Sequence, residues 1–291
     1  MAVAIAVSLK AHPLVVYSCA AVGALANTNG GAGGPLAVLF IAIIAAEIGM
    51  LVSKKTKVDI LVTPFVTILV GGLLSVYAAP YIGDVVELIK TFIGWAMEQQ
   101  PFVMGILVSV VIGMALTLPI SSAAICASLG LSGLMSGDLG LALAGGAAVA
   151  GCSAQMVGFA VMSFKENKWG GLVSQGIGTS MLQMPNIIRN PRIWIPATLT
   201  SAITGPLATC VFHMQMYGEA INSGMGTCGL LGPIGIILGW FGGDYPMTVG
   251  AMDWLGLALI CFVLPAVLTL IFSEILYKIK WIKPGDLTLP E

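Results

Sequence analysis

The residues that could handle a small polar ligand are nearly all neutral, and most sit where helices should break. In LPISSAAICASLG (118–130), Pro119 interrupts an apolar run and Ser121 and Ser122 follow at once. A proline-started half-helix at membrane depth offers free N–H groups and a positive dipole end, which suits an anionic or hydroxyl-rich ligand. The other reading is a kinked helix whose serines satisfy the broken turn. Ser153 and Gln155, in GCSAQMVGF, form a polar notch inside a long apolar run, as ligand donors or as interhelical hydrogen bonds. Thr179, Gln183 and Asn186 lie in GGLVSQGIGTSMLQMPNIIRNPRIWIP (170–196), whose glycines loosen the backbone and whose prolines remove donors. Broken backbone of this kind is tolerated in a membrane only where protein buries it or where it lines a watery cavity. The expectation is that 170–188 re-enters the membrane and walls a substrate path; an interfacial helix on the surface is the alternative. GMGTCGLLGPIG (224–235) is glycine-rich but lacks GK[ST], so a second re-entrant hairpin with donors around Thr227 is preferred to a nucleotide loop.

One charged group joins this set. Glu47, in IIAAEIGMLV, is the acidic residue that lies well inside an apolar run. A carboxylate there is costly, so it should face the bundle, pair with Lys54 or Lys55, or take up a proton. Its functional reading is a proton-coupling or ligand-binding carboxylate. No Ser/His/Asp set, HExxH or paired carboxylate is present, and His12 and His213 lack ligand-spaced partners, so no metal, cofactor or hydrolytic centre is expected. The six cysteines form no CxxC pair and read as small buried residues.

The elements that must hold these groups are membrane spans. Of 291 residues, 58% are hydrophobic and 9% charged, against about 25% charged in soluble domains. Mean hydropathy is +1.00. A net charge of −1 argues against a nucleic-acid partner. Apolar runs fall at 13–26, 35–52, 60–79, 101–118, 120–134, 139–164, 193–214, 224–243 and 254–277. Residues 80–100 mix apolar and charged positions at helical spacing, as in an interfacial amphipathic helix. With 170–188 and 224–243 dipping in and returning, 11 of the 12 Lys and Arg residues fall on one face, Lys90 being the exception. The positive-inside rule makes that face cytoplasmic and places the C-terminus there. A full span at 170–188 would separate Arg189 and Arg192 from Lys165 and Lys168. The expected fold is therefore an all-α polytopic integral membrane bundle, one domain over 1–291, with about eight spans and two re-entrant hairpins. VTPFVTILVGGLLS (62–75) and IPATLTSAITGPLA (195–208) echo one another weakly, as internal repeats of transporters do.

Several longer stretches occur in an order shared with a known group: KTKVDILVTPFVTILVGGLLSV, PFVMGILVSVVIGMALTLPISSAAI, AAVAGCSAQMVGFAVMSFKEN, GIGTSMLQMPNIIRNPRIWIP and SEILYKIKWIKPGDLTL. Over residues 35–291 the chain resembles the bacterial phosphotransferase-system enzyme IIC-like family that includes the perfringolysin regulator-like membrane proteins. The resemblance implies a plasma (inner) membrane permease subunit for a sugar or small polar solute. It also implies a homodimer and a separate IIB-type partner as phosphoryl donor. It marks Pro119, Ser121, Ser122, Ser153, Gln155, Thr179, Gln183 and Asn186 as lying in matched motifs; Glu47 rests on burial cost alone. The chain departs from sugar-transporting members in lacking the GITEP-type hairpin motif and any fused IIA or IIB domain. It also starts later than expected, so leading helices are expected to be missing. Uptake without phosphorylation, ligand sensing without transport, and a passive channel stand as alternatives.

Overall fold

A computed structural model describes residues 1–55, 57–118, 121–134, 137–242 and 249–289. Every regular element is helical, and no strand forms among the described residues. Among the described residues, four helices are long and apolar enough to cross a bilayer: Gly34–Val52, Asp59–Tyr77, Leu139–Met162 and the continuous run Ala251–Lys278. The protein is thus an all-α membrane bundle. It divides into two compact units, Met1–Lys90 and Thr91–Glu291.

In the first unit, α1 (Ala2–Ser8), α2 (Pro13–Asn29), α3 (Gly34–Val52) and α4 (Asp59–Tyr77) precede α5 (Ala79–Gln99), within which the division falls. Proline opens α2 and α3, where its missing N–H has no intrahelical partner to lose. Val15, Cys19 and Val22 of α2 pack with Ala42, Ala45 and Ala46 of α3. The buried residues of α4 fall on one stripe, Thr63, Thr67, Gly71 and Ser75. Their hydroxyls are satisfied within the helix, Thr67 Oγ1 donating to Thr63 O (2.8 Å) and Ser75 Oγ to Gly71 O (2.7 Å). Small side chains let helices approach closely, which replaces the hydrophobic drive that lipid does not supply. α5 forms as one 21-residue helix over the stretch whose charges and apolar residues share helical spacing.

The second unit is organised on α8 (Leu139–Met162). α6 (Pro101–Thr117) and α7 (Ser122–Leu129) precede it. After it come α9 (Phe164–Val173), α10 (Met184–Arg189), α11 (Ile195–Pro206), α12 (Ala220–Ser223), α13 (Leu231–Gly242), α14 (Ala251–Ala258) and α15 (Leu264–Lys278). Nearly every residue of α8 is buried, and its composition explains how. Gly113 of α6 closes on the backbone of Gly151, and Gly151 closes on the carbonyl of Ser109. Gly146 abuts the Met214 carbonyl, and Gly158 meets Thr269 of α15. A side chain at these positions would hold the neighbours apart. Ser109 Oγ then reaches across to Ser201 O of α11 at 2.7 Å.

Two stretches enter beside α8 and go back the way they came. The first leaves the Met162 end, where Gln175 Nε2 donates to Ser163 Oγ (2.8 Å). It breaks in a π-turn (Ser174–Gly178) and a 3-10 turn (Ser180–Gln183), then returns through α10 to Ile193, which packs on Phe159 and Met162. The second starts at the opposite end, where Met216 N donates to Ala142 O (2.9 Å). Its turn at Gly226 touches Cys152 and Ser153, and α13 comes back until Gly239 lies against Tyr217. These are the two hairpins expected at 170–188 and 224–243, and they point toward each other.

The run 120–134, expected as a span, is not one. α7 has 8 residues, about 12 Å of helix against a hydrocarbon core of about 30 Å. Gly130 stops it in the left-handed conformation at φ +57°, its N–H returning to Ala127 O and Cys126 O. α6 and α7 therefore make a third broken element, a helix followed by a half-helix running back.

Candidate functional site

The three broken elements converge in the second unit. Residues beside each of them border one open pocket of about 350 Å³. Its lining is Leu116, Ser121, Ser122, Ala123, Thr179, Met181 and Met225. No charged side chain is among these residues, and the volume lies at the small end of the usual ligand-pocket range, roughly 300–1,000 Å³.

Each hydroxyl is set by the break that carries it. Ser121 caps α7, its Oγ accepting from Ala124 N at 3.1 Å. The first N–H groups of α7 have no intrahelical acceptor, so the positive end of the half-helix lies where the cavity is. Ser122 is buried and donates to Gly224 O at 2.7 Å, which fixes the second hairpin to α7. Thr179 is extended (φ −160°, ψ 140°) between the π-turn and the 3-10 turn, and its Oγ1 accepts from Met181 N at 3.1 Å. Thr227, buried, donates to Gly176 O at 2.7 Å. That bond joins the tips of the two hairpins.

Behind the cavity lies a buried network centred on Gln155, which has no exposed surface. Thr117 Oγ1 bonds Ser180 Oγ (2.9 Å) and donates more weakly to Gln155 Oε1 (3.4 Å). Trp194 Nε1 also donates to Gln155 Oε1, at 3.0 Å. Gln155 Nε2 points at Ser201 Oγ (3.4 Å) and Thr198 Oγ1 (3.5 Å). The amide therefore ties α6, α8 and α11 to the base of the first hairpin. Gln155→Leu is expected to strand the Trp194 N–H and lower stability by about 1–2 kcal/mol, with solute affinity little changed. Thermal unfolding beside a binding isotherm checks this; lost binding at unchanged stability would put Gln155 in the ligand site instead.

The remaining candidates are placed elsewhere. Gln183 and Asn186 are buried, and their amide groups serve the segment that follows α15. Ser153 is fully buried on α8 and is not in the cavity lining. Glu47 belongs to the first unit, on an exposed position of α3 between the buried Ala46 and Gly49. It forms no ion pair with Lys54 or Lys55. Pro119 lies outside the described residues. Ala123, Met181 and Met225 were missed as lining residues, because nothing in an alanine or a methionine marks it until the chain folds around it. Gln175 is the buried link between Ser163 and Gln183, a role that its place in the sequence does not mark.

A multi-pass helical membrane protein with opposed broken hairpins beside an uncharged cavity lined by hydroxyl and apolar side chains has the construction of a permease, where half-helix ends meet at a binding site. The chain belongs to the Phosphotransferase system, EIIC family, whose model matches residues 1–289. No curated protein and no solved structure matches it.

Proposed function

We propose that the protein is the permease subunit for a small, neutral, hydroxylated solute of the sugar type, and that it binds this solute in the cavity between the three breaks. The observation that carries this reading is the lining itself: Ser121, Ser122 and Thr179 present hydroxyls, while Leu116, Met181 and Met225 present apolar surface. A sugar-like molecule has the same two kinds of face. An anion would meet a helix end but no cationic side chain, and a cation would meet no carboxylate. Movement of the site between the two sides would require the hairpin tips to part, breaking the Thr227–Gly176 bond. Ser153, Gln155, Gln183, Asn186 and Thr227 would then act by shaping the walls. Glu47 lies in the other unit, and its proposed role is that of a proton-coupling carboxylate.

The basic residues support a plasma-membrane orientation with the C-terminus in the cytoplasm. A homodimer and a separate IIB-type phosphoryl donor complete the proposal. Purified protein in proteoliposomes tests it with a panel of labelled sugars and polyols. Saturable uptake of one class is the expected result. Saturable binding without flux would replace the permease by a sensor, and flux that never saturates would replace it by a channel.

A further inference from the structure

The segment following α15 is held in an unusual way. Residues 285–289 join neither a helix nor a sheet, yet their backbone groups are taken up by side chains of the first hairpin and of α9. Glu166 accepts from Gly285 N and Leu287 N, each at 2.9 Å, and from Thr288 Oγ1 at 3.1 Å. Asn167 uses both ends of its amide, donating to Leu287 O and accepting from Leu289 N, each at 2.8 Å. Gln183 Nε2 donates to Leu287 O at 3.0 Å, and Asn186 Nδ2 to Thr288 O at 2.8 Å. Leu287 is fully buried in a core with Phe159, Met162 and Ile187. Asp286 accepts from Asn190 Nδ2 at 2.8 Å.

The same amides run on to the cavity. Asn186 donates to Gln183 Oε1 (2.8 Å), Gln183 to Gln175 Oε1 (2.9 Å), and Gln175 to Ser163 Oγ (2.8 Å). Gln175 lies inside the π-turn, which closes with Thr179 N on Ser174 O at 2.8 Å, and Thr179 lines the cavity. Gln175 and Gln183 have no exposed surface, and Asn186 has 4%. Removing the segment would take one of the two acceptors from each of the Gln183 and Asn186 amides and leave one N–H of each unpaired, a cost that the hairpin can relieve by moving.

We propose that 285–289 is a latch. Seated, it holds the first hairpin with Thr179 in the cavity wall; released, it lets the π-turn rearrange and opens that wall. Glu166 is the clasp, because one carboxylate receives three donors. The latch acts on the cavity assigned above as the solute site, but its test needs no solute, so it stands or falls apart from that assignment.

The test uses full-length protein carrying Thr179→Cys, with Cys210→Ser and Cys228→Ser; the other four native cysteines are buried. Maleimide labelling at position 179 is followed alongside hydrogen exchange of the 285–289 amides, with and without Glu166→Gln. Loss of a charge-assisted acceptor should speed both by roughly tenfold or more, while native Cys152 stays unlabelled. A second arm ends the chain after Pro284 and should give the same gain at position 179. Faster exchange with labelling at 179 unchanged overturns the latch, since release would not reach the cavity. Labelling of Cys152 rising in step with 179 overturns it too, because the protein would be loosening as a whole. Unchanged exchange in Glu166→Gln would show that the clasp does not hold the segment.

Discussion

Gly151→Leu is expected to abolish the folded second unit, and Gly151→Ala to cost about 3 kcal/mol, the upper part of the range for overpacked cores. The reason is what a Cβ would meet. At Gly151 it would run into the backbone carbonyl of Ser109, and the Ser109 Cα lies 2.7 Å away. Backbone cannot rotate aside as a side-chain tip can. α6 and α8 would have to separate, and with them would go the Gly113 contact and the Ser109–Ser201 bond that ties α6 to α11. Thermal unfolding and size-exclusion profiles in detergent measure the effect. Gly170→Ala is the matched control: nothing lies within 4 Å of its Cβ position. It should be neutral or stabilise α9 by up to about 1 kcal/mol through helix propensity. Equal behaviour of the two variants would refute the packing account of α8.

Ala123→Trp should remove solute binding, with affinity falling more than about a hundredfold, equivalent to about 2.7 kcal/mol. Ala123 lines the cavity on the first turn of α7, beside Ser121 and Ser122. An indole there would occupy space that Thr179 and Met181 otherwise face from the other side. The position is only half-buried, so the fold should survive, and an unchanged melting temperature must accompany the loss. Uptake that persists at wild-type affinity in a stable Ala123→Trp protein would sink the assignment of this cavity as the solute site.

How much of this was legible in advance differs from residue to residue. Ser121, Ser122 and Thr179 were picked out because each adjoins a helix breaker, and all three line one cavity. The breakers act locally, so sequence carries their positions. The length of α7 was not legible in its hydropathy, since 120–134 carries no charged residue to end an apolar run; Gly130 ends the helix there by adopting a left-handed conformation that an alanine would resist. Gln183 and Asn186 are visible in the sequence as polar groups within a broken segment. Their partners, Leu287 and Thr288, lie about a hundred residues further on, and no local pattern announces such a pairing.

Taken alone, the sequence determined that this chain is a helical membrane protein, which stretches could not remain plain lipid-facing helices, and which family its motifs resemble. Those properties follow from composition and from backbone chemistry within a few residues. Only the tertiary structure decided that the hairpin tips join through Thr227 and Gly176, and that a distant segment occupies the amides of Gln183 and Asn186. These depend on which glycine meets which backbone across the bundle, and such contacts are fixed by shape in three dimensions rather than by spacing along the chain.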